Sequence, residues 1–180
     1  MNMKTGLAAL VTALLLLPGI AQADELPMKA EAPITLTSPS AILCEASTGQ
    51  VIFEKNADER RPVASVNKVM TILLTLEAVD EGRVSLEDQV TVSPRAASMG
   101  GSQAFLDAGE RYKLSELLKT VIVASANDSA VALAEHLAGT EESFVRLMNT
   151  RAEELGLTNT HYANCTGLPA QEHYTTARDV

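Results

Sequence analysis

Ala64-Ser65-Val66-Asn67-Lys68-Val69-Met70-Thr71 opens a long apolar segment of the 180-residue chain and places a lysine three residues after a serine. Pro62 disfavours helix before it and Ser65 is a common N-cap type, so we expect a helix from here to about Gly82. Because residues i and i+3 share a helical face, Lys68 is predicted to lie beside Ser65. Apolar residues on nearly every face predict that most of this helix is buried. They are Val69, Met70, Ile72, Leu73, Leu76 and Val79.

The Ser65 and Lys68 pair has the residue types of a nucleophile and its base. A serine hydroxyl is a weak nucleophile until a neighbouring base takes its proton. Lysine serves as that base only when neutral, and lowering its pKa from about 10.4 to about 7–8 corresponds to roughly 4 kcal/mol. The helix macrodipole contributes only about 0.3–1 kcal/mol. Burial of Lys68 and groups that hold its amine must therefore supply the rest.

A second polar cluster, Ser125-Ala126-Asn127, interrupts two predicted helices. Ser125 is a candidate for relaying a proton, and the Asn127 amide could hydrogen-bond both the lysine and a substrate. Each motif also has a structural alternative. Ser65 and the Ser125 cluster could simply cap helices, and an S-x-x-K pattern occurs about once by chance in a chain of this size.

Residues 1–23 have the pattern of a secretory signal peptide. Lys4 is their only charged side chain, residues 6–17 are apolar, and Ala21-Gln22-Ala23 has the small-residue pattern of a cleavage site. The apolar run is too short for a stable membrane span. We expect cleavage after Ala23 and export of the chain, with an uncleaved anchor as the alternative. The prolines of residues 24–40 predict an extended lead-in.

Composition excludes several other classes of function. A net charge of −9 argues against a nucleic-acid partner, and an aromatic content of 3% without tryptophan provides no stacking surface for bases. The three histidines lack metal-ligand spacing, so no metal site is predicted. Cys44 and Cys165 are the only cysteines. They could form a disulfide in an exported protein, or Cys44 could be a small buried hydrophobic residue of a strand.

The order of predicted elements is typical of an α+β protein. Strands are predicted over residues 41–46 and 51–54, joined by a turn in which Gly49 takes a positive φ. Helices are predicted over residues 115–124, with Ser115 as the cap and Ile122 facing inward, and over 129–137 and 143–155. Residues 158–169 are predicted to be irregular, and residues 175–180 to form the first turn of one more helix.

The motifs and their surroundings resemble the exported serine D-alanyl-D-alanine carboxypeptidases, which are low-molecular-weight penicillin-binding proteins. The resemblance covers about residues 40–180 and implies a catalytic domain of the penicillin-binding-protein and serine β-lactamase class over residues 41–180. The matching stretches include Gly49-Gln50-Val51, Pro62-Val63-Ala64-Ser65, Lys68-Val69-Met70-Thr71, Gly101-Ser102, Ser125-Ala126-Asn127-Asp128, Leu155-Gly156-Leu157, Thr166-Gly167-Leu168-Pro169 and Thr176-Ala177-Arg178-Asp179.

The resemblance implies a role for each motif residue. Ser65 would form an acyl-enzyme, Lys68 would accept its proton, Ser125 would assist proton transfer, and Asn127 would position substrate and lysine. The substrate would be the D-Ala-D-Ala end of a peptidoglycan stem peptide, and release of the terminal D-Ala would remodel the cell wall. β-Lactams would inhibit by acylating Ser65, no metal or organic cofactor would take part, and the enzyme would lie in the bacterial periplasm or on the exterior of the cell envelope.

The chain also departs from the family pattern. The third motif, Lys-Thr-Gly on a strand beside the nucleophile, does not follow Asn127. The second, β-rich domain and the C-terminal amphipathic anchor, the family's means of association with a membrane surface, are also absent from the sequence. We therefore expect a catalytic domain truncated before its third motif. Two alternatives are a class A-like β-lactamase, although Ala126 stands where that class has aspartate, and an inactive fragment that only binds.

Overall fold

The computed structural model describes residues 35–180. The predicted signal peptide, residues 1–23, and most of the predicted lead-in lie outside the described residues. Residues 35–40, the end of that lead-in, contain no helix or strand. Within the described part of the chain, no helix combines the length and the apolar character that crossing a membrane requires.

An antiparallel hairpin begins the described fold. Its strands are β1 (Ala41–Cys44) and β2 (Val51–Lys55), as the sequence predicts. The Glu45 carboxylate in the turn accepts hydrogen bonds from the backbone N–H and hydroxyl groups of Ser47 and Thr48. These hydrogen bonds lower the pKa of Glu45 to about 2, and the bond from the Thr48 hydroxyl has the largest effect. Gly49 takes the predicted positive φ, at 73°.

The helix that carries Lys68 begins with a tighter turn than predicted. Ala64–Asn67 forms a 3₁₀ turn, and α1 (Lys68–Asp80) continues from it. Ser65 lies inside the turn and makes no cap hydrogen bond, so the prediction that it caps the helix is wrong. The helix ends where expected, and Gly82 follows it at φ 71°.

Burial of α1 is confined to one face. Met70, Thr71 and Thr75 are buried there, whereas Val69 is 55% exposed and Leu76 is 46% exposed. The prediction that most of the helix is buried is therefore wrong. The apolar side chains are present on the other faces as well, but among the described residues the three long helices later in the chain pack against only one side of α1.

The rest of the chain is mainly helical. A second two-stranded sheet pairs β3 (Gln89–Thr91) antiparallel with β4 (Arg111–Lys113). The short helix α2 (Pro94–Ala97) lies between these two strands in the sequence. The three longer helices are α3 (Leu114–Ala124), α4 (Asn127–Ala138) and α5 (Glu141–Glu154). Together with the hairpin they form the predicted α+β arrangement.

Two details of the helix predictions are corrected. The cap of α3 comes from the Glu116 carboxylate, which accepts the backbone N–H of Lys113 at 3.0 Å, and not from Ser115. Ile122 lies on the exposed side of α3. Ser115 cannot be the cap because the helix begins one residue earlier, at Leu114, and its N-cap is Lys113.

Helix α4 lies at the centre of the core. Every residue from 127 to 134 is buried, and α1, α2, α3 and α5 all pack against this helix. Its small residues, Ala130, Ala132 and Ala134, let the neighbouring helices approach closely, while Phe144 and Met148 of α5 fill the remaining space. This packing brings the start of α4, with the second motif, into the same core as α1, with the first.

The irregular segment after α5 returns to the start of α1. His161 and Tyr174 exchange backbone hydrogen bonds, and Thr175 pairs in the same way with Arg61. Residues 163–167 are thereby held against the turn that contains Ser65. At the end of the chain, the Val180 N–H donates to the Thr176 carbonyl, which forms the single turn predicted there.

Candidate active site

Ser65 and Lys68 are in contact at the start of α1. Lys68 Nζ lies 3.2 Å from Ser65 Oγ, the proximity predicted from their spacing. The lysine is only 2% exposed. This burial is the main reason that the pKa of Lys68 is lowered from its ordinary value. Burial therefore shifts the pKa of Lys68 in the direction that a general base requires.

A backbone carbonyl holds the amine from the opposite side. Lys68 Nζ donates to the Thr166 carbonyl oxygen at 2.7 Å, and one turn later the Thr71 hydroxyl donates to the Cys165 carbonyl oxygen at 2.8 Å. The segment of residues 164–167 is thus fastened to the first two turns of α1. Sequence reasoning missed this partner of the lysine because a carbonyl group belongs to every residue type.

The conformation of residues 164–167 depends on the Asn164 side chain and on Gly167. The Asn164 side-chain oxygen accepts the backbone N–H groups of Thr166 and Gly167, at 3.1 and 2.7 Å. Gly167 has φ 86°, and a Cβ atom there would lie 1.8 Å from the Ala64 carbonyl oxygen. Only glycine allows the segment to approach the residue before Ser65 so closely.

The second motif is positioned by the loop that contains residues 100–102. Asn127 donates from its side-chain amide to the Gly100 carbonyl oxygen at 2.7 Å and from its backbone to the Ser102 carbonyl oxygen at 2.8 Å. Ser125, at φ 55°, ends α3 in the left-handed conformation. The N-cap of α4 is Ala126, without a side-chain cap bond, so the alternative of a capping pair is wrong.

The structure does not join the second motif to the lysine directly. Within residues 35–180, no hydrogen bond links Asn127 to Lys68, and the Ser125 hydroxyl makes none with another side chain. The catalytic roles of Ser125 and Asn127 therefore remain predictions, as do those of Ser65 and Lys68.

Asp128 anchors the loop that holds Asn127. Its buried carboxylate accepts the backbone N–H groups of Ala104 and Leu106, at 3.0 and 3.1 Å. Phe105, between those two donors, has φ 59° and is 82% exposed. The loop is thus tied to the second motif on both sides of an outward-facing aromatic ring.

The two cysteines are free thiols. Cys44 is exposed on β1, and Cys165 is buried beside the site. The disulfide alternative is therefore not what the structure contains, and the interpretation of Cys44 as a buried hydrophobic residue is wrong. Burial, assisted by the nearby Glu141 carboxylate, raises the pKa of the Cys165 thiol well above its ordinary value.

Comparison with known proteins defines the class. Residues 27–180 match the protein family described as D-alanyl-D-alanine carboxypeptidase, so this chain belongs to that family. It is similar to the D-alanyl-D-alanine carboxypeptidase DacF of Bacillus subtilis, with 50% identity over 141 residues that cover 78% of this chain and 36% of the relative. It is also similar to DacC of Escherichia coli, with 40% identity over 157 residues, 81% of this chain and 39% of the relative.

Solved structures that resemble this chain support the same family assignment. The D-alanyl-D-alanine carboxypeptidase DacD from Francisella tularensis matches with a TM-score of 0.81 and 40% identity, over 82% of this chain and 36% of that one. Penicillin-binding protein 5 from Haemophilus influenzae matches with a TM-score of 0.79 and 33% identity, over 82% of this chain and 44% of that one. The predicted family and fold class are confirmed, and the β-lactamase alternative is not favoured. The chain spans less than half the length of these relatives.

Proposed function

We propose that this chain carries the nucleophile-bearing part of a serine D,D-carboxypeptidase, which removes the terminal D-Ala from peptidoglycan stem peptides in cell-wall remodelling. The observation that carries the proposal is the 3.2 Å contact between Ser65 Oγ and the buried Lys68 amine, in a chain of the carboxypeptidase family. This distance is slightly beyond the shortest hydrogen bonds and within reach of proton transfer.

The chemistry begins with a neutral Lys68. Its amine takes the Ser65 proton while Ser65 Oγ bonds to the carbonyl carbon of the penultimate D-Ala. The C–N bond then breaks, and the terminal D-Ala leaves as the free amino acid after its nitrogen gains a proton. Water hydrolyses the resulting ester and restores the Ser65 hydroxyl. In this scheme Ser125 helps to carry the proton to the leaving nitrogen, and Asn127 holds the substrate amide.

The surroundings of Lys68 support its role as a base. Both of its hydrogen-bond partners, the Ser65 hydroxyl and the Thr166 carbonyl, are uncharged. A carboxylate partner would favour the protonated amine, whereas two neutral partners in a buried site impose a smaller penalty on the neutral form. The amine is also aimed at the serine from a fixed direction, because Thr166 is itself held by the Asn164 turn.

β-Lactams provide the direct test, since they are proposed to acylate Ser65 in place of the substrate. Because the chain covers 36% of the Bacillus subtilis relative, we would replace the matched segment of that protein with the 141 residues of this chain that align to it, and label the chimera with fluorescent penicillin. We expect an adduct on the peptide that contains Ser65, its loss in Ser65→Ala, and full labelling in the matched control Ser98→Ala on the exposed surface. Label that survives Ser65→Ala, or a folded chimera that takes no label, would refute the proposal.

We also propose that the chain is exported, to the periplasm or the exterior of the cell envelope. The composition of residues 1–23 and the Ala21-Gln22-Ala23 pattern support this proposal. N-terminal sequencing of the protein recovered from cells should find Asp24 as the first residue, and Ala23→Arg should block processing. A protein that retains Met1 in the cytoplasm would contradict export.

A further inference from the structure

A histidine that the proposed reaction does not use contacts the first motif. His173 Nε2 lies 2.9 Å from Asn67 Oδ1, although the two residues are 106 positions apart. Both side chains are buried. Asn67 is the last residue of the turn that contains Ser65 and directly precedes Lys68. The sequence offers no signal for this contact, because the histidine lies in an irregular segment far along the chain.

The neighbouring donors determine which nitrogen of His173 carries its proton. The Ala163 N–H donates to His173 Nδ1 at 3.4 Å, so Nδ1 must be an acceptor and Nε2 must bear the hydrogen. The Nε2–H then donates to Asn67 Oδ1, which leaves the Asn67 amide nitrogen to donate to the Asn164 carbonyl oxygen at 3.2 Å. One neutral tautomer of His173 therefore satisfies all three groups.

We propose that His173 is a positioning residue, which through Asn67 holds the Ala64–Asn67 turn so that Ser65 faces Lys68. The inference rests on the proposed function of Ser65 as nucleophile. It assigns His173 no contact with substrate and no part in proton transfer.

The turn needs support of this kind. It has no side-chain cap, and it begins at Ala64 with a φ of 44°, which an L-residue adopts at a cost. Asn67 and Lys68 both reach into the 164–167 segment, one to the Asn164 carbonyl and the other to that of Thr166. Asn67 thus fixes the end of the turn from which the Lys68 side chain extends.

His173 is itself held rigidly. The two residues that follow it pair through backbone hydrogen bonds in opposite directions, Tyr174 with His161 and Thr175 with Arg61. Its ring meets the ring of Tyr162 edge-on, with 6.2 Å between the centroids. A misplacement of a reacting group by about 1 Å can cost a factor of about 100 in rate, so a rigid support at this position affects the chemistry.

The protonation state of His173 connects this support to pH. Burial lowers the pKa of His173, and the charge of His161 on the adjacent segment acts in the same direction. The other titratable groups around the pair are Lys68 next to Asn67, Tyr162 on the 161–163 segment, and Arg61 on the other side of the 173–175 segment. Protonation would place a hydrogen on Nδ1 against the Ala163 N–H, and the turn would lose its support.

Variants of His173 separate positioning from mere packing. His173→Phe fills the space without a donor, whereas His173→Gln offers an amide that can donate to Asn67 and accept from Ala163. In the chimera with the Bacillus subtilis relative, we measure the rate at which benzylpenicillin acylates Ser65 from the mass of the adduct. We expect this rate to fall about 10- to 100-fold in the Phe variant and to recover to within a few-fold of the unaltered chimera in the Gln variant. The matched control His136→Gln, on α4, should acylate at the wild-type rate.

The pH profile and the spectrum of the histidine provide readouts that packing alone does not change. In wild type, the acylation rate should fall more steeply below the pKa of His173, and this extra limb should vanish in His173→Gln. Nitrogen-15 NMR of the purified chain should show the Nε2–H tautomer of His173, and Asn67→Asp should raise the histidine's pKa, because a carboxylate favours imidazolium.

The two proposals fail in different ways. Adducts on Ser65 that form equally fast in wild type and His173→Phe would overturn the positioning role and leave the nucleophile intact. An absence of adduct on Ser65 of the otherwise unaltered, folded chimera would overturn the proposed function. The NMR spectrum then still decides the link between the two side chains, since an Nδ1–H tautomer is incompatible with it.

Discussion

The Thr166 carbonyl oxygen accepts a hydrogen bond from Lys68 Nζ at 2.7 Å, across a sequence separation of 98 residues. This contact satisfies the amine without neutralising its charge. Among residues 35–180, no carboxylate forms an ion pair with Lys68. A buried cationic amine with only neutral partners is costly, and the cost is reduced when the amine loses its proton. The chain thereby favours the form of lysine that general-base catalysis requires.

The lowered pKa of Lys68 predicts how acylation depends on pH. The rate should rise with pH and level off, with a midpoint below the ordinary lysine value of about 10.4. Lys68→Arg should reduce the rate by at least about 100-fold, because a guanidinium keeps its proton at every accessible pH. Penicillin acylation of the wild-type protein from pH 6 to pH 11 measures the midpoint. A midpoint at or above 10.4, or an active Arg variant, would contradict a neutral lysine base.

The same shift predicts a change in stability. The pKa of Lys68 is lower in the folded state than in the unfolded state, so the unfolded chain binds more protons at pH values between the two. The free energy of unfolding contributed by Lys68 should therefore rise as pH increases through that window, up to the unfolded value. Urea denaturation at a series of pH values should show this rise in wild type, and Lys68→Met should remove it. An unchanged pH dependence in the Met variant would show that another group is responsible.

The close contact of Gly167 with Ala64 predicts that a side chain at position 167 destabilises the fold. An alanine Cβ there would overlap the Ala64 backbone, 1.8 Å from its oxygen and 2.4 Å from its carbon, and φ is 86°. We expect Gly167→Ala to lower the free energy of unfolding by more than about 4 kcal/mol, since backbone cannot move aside as a side chain can. The matched control is Gly109→Ala, with φ 88° and no atom within 4 Å of the new Cβ. It should cost only about 1–2 kcal/mol, the price of the backbone conformation alone.

Denaturation curves for the two glycine variants distinguish contact from conformation. If both variants lose the same stability, the close approach of residues 164–167 to Ala64 is not present in solution. If Gly167→Ala alone is severely destabilised, the segment that holds Lys68 is packed as described.

The left-handed backbone conformation of Phe105 predicts that one substitution there increases stability. Its left-handed backbone is imposed by Asp128, which binds the N–H groups on both sides, and such strain costs about 1–3 kcal/mol. Because Phe105 is 82% exposed, replacing its ring loses little burial. Phe105→Asn should raise the free energy of unfolding by about 0.5–1.5 kcal/mol, since asparagine tolerates this conformation. Phe105→Ala keeps the strained Cβ and should show no comparable gain in thermal denaturation. A less stable Asn variant would mean that the ring is supported by contacts in solution.

Local rules predicted the parts of the site that lie close together in sequence. The i, i+3 spacing placed Lys68 beside Ser65, and the turn of the first hairpin followed from Gly49. The partners that come from far along the chain, Thr166 and His173, could not be predicted in this way. A backbone carbonyl carries no residue signature, and a lone histidine in an irregular segment is compatible with many surroundings.

Burial was harder to predict than helix formation for a related reason. The apolar pattern of α1 indicated a buried helix, yet Val69 and Leu76 are exposed because only one of its faces is covered among the described residues. Periodicity reports which side chains prefer an apolar environment and does not report which element covers them. The same limit explains Cys44, which has strand-like neighbours but lies on the open face of the hairpin.

The two thiols should differ strongly in reactivity. Cys44 is exposed, whereas Cys165 is buried and its pKa is raised well above the ordinary thiol value, so it stays protonated at neutral pH. Because the thiolate is the reactive form, Ellman's reagent at pH 8 should modify one thiol rapidly in the native chain and the second at least about 100-fold more slowly, after local opening. In urea both should react at once. Cys44→Ser should abolish the rapid phase and Cys165→Ser should leave it unchanged. Two unreactive cysteines in the denatured, unreduced chain would reveal a disulfide and contradict the free thiols of this structure.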